Sequence, residues 1–205
     1  MNESPWFTIA AAAVAAYLFS LWWNDYRTVR ESRAKAGALP GAAPVSKCWT
    51  MVGIIGALVL VGIESTGEYA LGVVGEQSTV TVLALLGFLA AGFYEELIFR
   101  GFIFYDRGGR RCLILSILGA SLLFALLHYQ YYLAFPDTGG WQLNLGAKSG
   151  WTLLLLFLNS LWFYYLRFSR HNAQRSLLPC FLAHMASNAA VFGVKAAQGF
   201  VSGWW

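Results

Sequence analysis

Three apolar stretches carry side chains able to move protons or hold a developing negative charge. In each, a four-residue spacing puts two of them on one helix face. The first reads Glu95-Glu96-Leu97-Ile98-Phe99-Arg100. Glu96 and Arg100 are placed to form an ion pair within one helix. Glu95 is turned by about 100° from Glu96 on a helix of about 3.6 residues per turn, so it points elsewhere and is left free for general-base work. The second runs from Phe124 to His128, ring and imidazole sharing a face. The third, His184-Met185-Ala186-Ser187-Asn188, pairs an imidazole and a carboxamide that could hold an oxyanion. A carboxylate and an imidazole to activate water, with two donors for the tetrahedral oxygen, are what amide hydrolysis without a covalent intermediate requires. The plainer reading of each set is packing: charges near a membrane edge with Arg100 snorkelling to the surface, and His or Asn bonding between helices, as is expected of Asn159. No GxSxG elbow and no HExxH helix is present, so a serine or standard zinc protease is not indicated.

The elements that must position these groups are apolar helices. The 205 residues are 58% hydrophobic and 12% charged, whereas soluble domains carry about 25% charge. Runs of roughly 20 apolar residues span a bilayer as helices, because backbone groups must be satisfied internally. The expected fold is an all-α polytopic transmembrane bundle of about six helices, near Trp6–Trp23, Cys48–Ile63, Thr79–Tyr105, Cys112–Phe135, Trp151–Phe168 and Leu177–Val194. The chain reads as a single membrane domain, with two accessory helices in 1–63 and a four-helix catalytic core in 79–194. The stretch before Trp6 has Glu3 and no Lys or Arg, unlike a signal peptide, so the first helix is expected to be retained.

Arginines and lysines concentrate in the first, third and fifth connections: Arg27, Arg30, Arg33, Lys35 and Lys47; Arg107, Arg110 and Arg111; Arg167, Arg170 and Arg175. The positive-inside rule puts those connections in the cytoplasm and both termini on the other side. The net charge of +4 is thereby explained by the membrane, and no nucleic-acid partner is expected. The connection from Asp25 to Lys47 reads as a flexible or surface-lying linker. Trp22, Trp23, Trp151, Trp204 and Trp205 read mostly as interfacial anchors. Cys48, Cys112 and Cys180 read as reduced structural thiols. One depth does not fit. Counted from the cytoplasmic helix ends, Glu95 lies about 15 Å and His184 about 10 Å in, but His128 about 24 Å. A tilted fourth helix, or one that begins below the surface, would remove the mismatch.

At these positions the chain resembles the CAAX-protease and bacteriocin-processing (Abi) membrane proteins, marked by EExxxR, FxxxH and HxxxN or HxxxD on successive core helices. The matching residues are Glu95-Glu96…Arg100, Phe124…His128 and His184…Asn188, and the resemblance covers roughly Gly92 to Asn188. It implies a glutamic-type intramembrane endopeptidase similar to the type II CAAX prenyl protease. Glu95 and His128 would activate water, His184 and Asn188 would form the oxyanion site, and Glu96 with Arg100 would hold the helix, with no cofactor or metal. The implied partners are the lipid bilayer and a membrane-anchored protein or peptide substrate. The implied location is the bacterial cytoplasmic membrane. Three other readings differ in class: a zinc hydrolase with Glu95, His128 and His184 as ligands, a catalytically silent binding or immunity protein, and a proton path.

Overall fold

The computed structural model describes residues 4–31, 36–134 and 139–205. Met1, Asn2 and Glu3, the charges Arg33 and Lys35, the expected helix end at Phe135, and Asp137 lie outside the described residues. Six α-helices run through the described residues: α1 (Pro5–Arg30), α2 (Lys47–Leu71), α3 (Ala84–Phe102), α4 (Gly109–Leu127), α5 (Ala147–Phe168) and α6 (Leu178–Ala197). The only strands among them are the two-residue pair β1 (Leu133–Ala134) and β2 (Gln142–Leu143), which lie antiparallel. Four helices, α1, α2, α4 and α5, are long and apolar enough to cross a membrane. The other two are those that carry Glu95, Glu96 and Arg100, and His184 and Asn188.

Several expected helix ends move, for physical reasons. α1 runs on to Arg30 and α2 to Leu71, past the apolar runs that announced them. α3 starts at Ala84 rather than Thr79, because the β-branched segment before it pairs with the C-terminal tail. Val80 donates to the Phe200 carbonyl (2.9 Å) and accepts from Ser202 (2.9 Å), and Leu83 donates to Trp204 (3.0 Å). α4 ends at Leu127, so His128 caps the helix instead of lying within it.

Two of the five tryptophans expected at an interface, Trp22 and Trp151, prove to be packing residues, whereas Trp23, Trp204 and Trp205 are exposed. Trp22 is fully buried and donates to the Pro40 carbonyl (3.0 Å). Trp151 and Trp162 sit over Gly67 and Gly56 of α2, where a Cβ would lie 2.2 Å from each indole. Their indole N–H groups bond the carbonyls of Glu64 (3.0 Å) and Gly53 (3.1 Å). Glycines on one helix and broad rings on the other let α2 and α5 close against each other, as small residues do in membrane bundles. At the end opposite the arginines, buried Glu68 pairs with Lys148 of α5. Lys195 of α6 donates to Gln77 (2.8 Å) and to the Ser78 carbonyl (2.7 Å), fastening the segment that leads into α3.

The Asp25–Lys47 connection is not a free linker where it is described. The buried Asp25 carboxylate accepts from the Leu39 amide (2.8 Å), and Gly41 accepts from the Leu177 amide (2.9 Å) at the head of α6. Gly41 has φ +63°, and a Cβ there would lie 2.6 Å from the Leu177 side chain and 2.8 Å from its backbone nitrogen. Gly41→Ala is therefore expected to cost more than the roughly 1–2 kcal/mol of a left-handed non-glycine residue. It should lower the thermal unfolding midpoint in detergent; an unchanged midpoint would show that this strap does not hold α6.

The main buried cluster joins Trp22 and Tyr26 of α1, Trp49 of α2, Phe93 and Leu97 of α3, Phe163 and Leu166 of α5 and Phe181 of α6. It surrounds the halves of α3 and α6 that carry the ionisable residues. At the arginine-rich end, the Arg175 guanidinium bonds Asp106 (2.6 Å) and holds its carboxyl below the usual carboxylate range, tying the α3–α4 and α5–α6 connections together.

Candidate active site

The third and sixth helices run antiparallel and approach closely where Gly92 of α3 faces Met185 of α6. Gly92 is buried, and a Cβ there would lie 3.1–3.2 Å from the backbone nitrogen and Cα of Met185. This close approach lets side chains on either side of it reach across. One turn toward the arginine-rich end, Glu96 Oε1 lies 2.8 Å from His184 Nδ1. One turn the other way, Asn188 Nδ2 donates to the Phe88 carbonyl (2.7 Å). Gly92→Ala forces backbone, not a flexible side-chain end, to give way. It is expected to lengthen the Glu96–His184 contact and to lower turnover about tenfold, in keeping with the sensitivity of catalysis to small misplacements. A wild-type turnover number for purified Gly92→Ala would refute this.

Glu96 and Arg100 are both wholly buried and pair at 3.0 Å along one helix face. Glu96 does more than neutralise Arg100, because the same Oε1 atom also meets His184. A carboxylate beside a guanidinium only accepts, so His184 Nδ1 carries the proton in that bond. The other ring nitrogen, Nε2, then faces Glu95, whose Oε2 lies 3.9 Å away. Glu95 is the more open carboxylate, with 21% of its side chain exposed. In the neutral imidazole set by Glu96, Nε2 is an acceptor; it donates only when the ring is an imidazolium. Phe163 stacks on the His184 ring (4.9 Å, 20°) and fixes its plane.

His128 reaches this group through Phe124. The Phe124 ring lies 4.7 Å from the His128 ring and 6.2 Å from that of His184, with the Arg100 guanidinium over it at 4.8 Å. His128 Nδ1 bonds the Phe124 carbonyl (2.8 Å), which leaves Nε2 with a free lone pair. Tyr131 stacks on the far side (6.3 Å, 15°). Among the described residues no hydrogen bond joins His128 to Glu95 or His184. The depth mismatch has a structural cause: Ser116, seven residues into α4, bonds the backbone of Tyr105 (3.0 and 3.3 Å), beyond the end of α3. Two turns of α4 thus project past α3. Counted from Ser116, Phe124 lies about 12 Å and His128 about 18 Å along the axis. The T-shaped contact of Phe124 with Phe99 (5.1 Å) fixes that level.

Sequence reasoning expected the fifth helix but missed its part in the site. Ser160, Tyr164 and Arg167 stand at i, i+4 and i+7 and all grip the end of α3. Ser160 meets Arg100 with its hydroxyl (2.6 Å) and carbonyl (3.1 Å). The Tyr164 hydroxyl reaches the Phe99 (2.9 Å) and Ile103 (2.7 Å) carbonyls, and Arg167 donates to the Arg100 carbonyl. A polar stripe at helical spacing inside an apolar run was the available signal. Asn159, expected to bond between helices, instead has a buried Oδ1 with no partner among the described residues. No three His, Cys, Asp or Glu side chains converge as metal ligands among the described residues, so Glu95, His128 and His184 are not gathered in the way a zinc site needs.

Residues 77–190 match the family described as type II CAAX prenyl endopeptidase, Rce1-like, over more than half of the chain. The chain belongs to that family. The matched region holds all three polar sets and the whole of α5, and with the apolar helices it makes this an integral membrane protein of a CAAX protease family. No curated protein and no solved structure matches the chain.

Proposed function

We propose that this Rce1-like protein is an intramembrane endopeptidase that hydrolyses a peptide bond of a membrane-anchored protein or peptide by a glutamate-based, metal-independent route. The observation that carries this reading is the bridging of Glu96 between Arg100 and His184, with Glu95 facing the free nitrogen of the same imidazole. In this reading Glu95 takes a proton from a water that His128 Nε2 helps to orient. The hydroxide attacks the scissile carbonyl. The new oxyanion is held by the second N–H of the Asn188 amide and by His184, to whose Nε2 Glu95 lends the proton, making an imidazolium flanked by two carboxylates. Glu95 then takes that proton back and gives it to the leaving amine, so the base of the first step is the acid of the second. Glu96 and Arg100 touch no substrate and hold the histidine.

The same proposal has six membrane crossings, with both termini on the non-cytoplasmic side of a bacterial cytoplasmic membrane. Residues 79–194 form the catalytic core and 1–63 an accessory pair of helices. The extent of the family match supports that division. The test compares protein termini in membrane and secreted fractions of cells carrying wild-type or Glu95→Gln protein at matched expression. Termini made only by the wild type would identify substrate and cleaved bond together. Identical termini in both would count against proteolysis and favour a binding or immunity role.

A further inference from the structure

We infer that Ser160, in a helix that carries none of the three motifs, is a positioning residue for the Glu96–His184 pair, and that Ser121 of α4 assists it. The inference rests on the proposed function and extends it. Arg100 is wholly buried, and its guanidinium is divided between two partners: one terminal nitrogen on Glu96 (3.0 Å), the other on the hydroxyl (2.6 Å) and carbonyl (3.1 Å) of Ser160. A guanidinium cannot accept a hydrogen bond, so the Ser160 oxygen must accept. Its single proton is then directed elsewhere, and Ser121 Oγ lies 3.0 Å away to receive it. Both serines are fully buried, so water does not compete for them.

The chain of contacts links Ser121, Ser160, Arg100, Glu96 and His184 and crosses four helices, with Arg100 donating both to Ser160 and to Glu96. Phe124, Phe163 and Tyr164 box the guanidinium at 4.8–5.3 Å but supply no oxygen to aim it. Among the described residues, only Ser160 sets its rotation against Glu96. Remove the hydroxyl and the guanidinium can turn about its axis, the two-donor arrangement at Glu96 Oε1 loosens, and His184 loses the bond that selects its tautomer. Ser160 acts on catalysis through these groups and touches no substrate.

The experiment compares purified full-length wild type, S160A, S160T and S121A in two readouts. The first is ¹⁵N spectroscopy of histidine-labelled protein, with the His184 signals assigned by H184Q. The second is the pH profile of cleavage, with kcat and KM measured separately. The expected result is an Nδ1-protonated His184 in wild type that shifts toward a tautomer mixture in S160A. With it kcat should fall about tenfold at a KM changed less than about twofold, the loss of one hydrogen bond to a charged group. S160T, which keeps the hydroxyl, should restore the wild-type spectrum. S121A should shift it in the same direction by less and serves if S160T does not fold. Wild-type His184 signals in S160A would overturn the inference. The spectrum is read without substrate, so a protein that cleaves nothing would sink the proposed function while leaving the role of Ser160 decided.

Discussion

Glu95→Gln is expected to lower the rate of peptide cleavage by about 10²–10⁴-fold, the range for loss of a positioned general base. It should leave the unfolding midpoint close to that of the wild type. The two halves of this expectation come from one contrast. Glu95 is 21% exposed and its nearest partner, His184 Nε2, stands at 3.9 Å, too far for a strong bond. An amide of the same shape costs the fold little there, yet it cannot take a proton from water. Glu96, wholly buried and bonded to two groups, is the opposite case. Cleavage assays with a substrate found from its new termini, alongside unfolding in the same detergent, check both halves. Activity within a few-fold of wild type would remove Glu95 from the chemistry, and a large loss of stability would make it a structural residue.

What the sequence could reveal follows from the range over which each interaction acts. Glu96 and Arg100 lie four apart on one helix, so their pairing was legible from spacing alone. So was the turn that sets Glu95 apart, because helical geometry dictates both. The bond between Glu96 and His184 joins residues 88 positions apart and depends on the helix approach at Gly92, which no local pattern announces. Ser160 was legible only in part: the stripe it forms with Tyr164 and Arg167 marks a polar helix face, but only the meeting of α3, α4 and α5 gives it its partners. The segment before Gly41 misled for a different reason. Its Ala, Gly and Pro content is that of a flexible linker, but buried Trp22 and Asp25 capture its backbone, and Gly41 is there for close approach rather than looseness. Trp22 and Trp151 misled likewise, since an indole near a helix end reads as an interfacial anchor until a facing glycine or carbonyl is seen.

Arg100→Met is expected to destabilise the protein by roughly 3–5 kcal/mol, the cost of stranding one member of a buried ion pair. The expectation is asymmetric. Met fits the aromatic box of Phe124, Phe163 and Tyr164, so packing is largely kept. The loss comes from the Glu96 carboxylate, whose Oε2 already lacks a partner among the described residues and which among them would keep only His184. Neutralising that carboxylate should then return most of the stability: the double variant Glu96→Gln, Arg100→Met is expected to unfold nearer the wild type than Arg100→Met alone, since replacing a buried pair together is far less costly than breaking it. Activity should not return with it, because a glutamine at position 96 no longer supports a charged His184. A double-mutant cycle by reversible unfolding in mixed micelles, with cleavage measured on the same four proteins, separates these effects. Additive losses would mean that the pair is not coupled. Recovered activity in the double variant would mean that Glu96 is needed only to neutralise Arg100 and that His184 works without its charge.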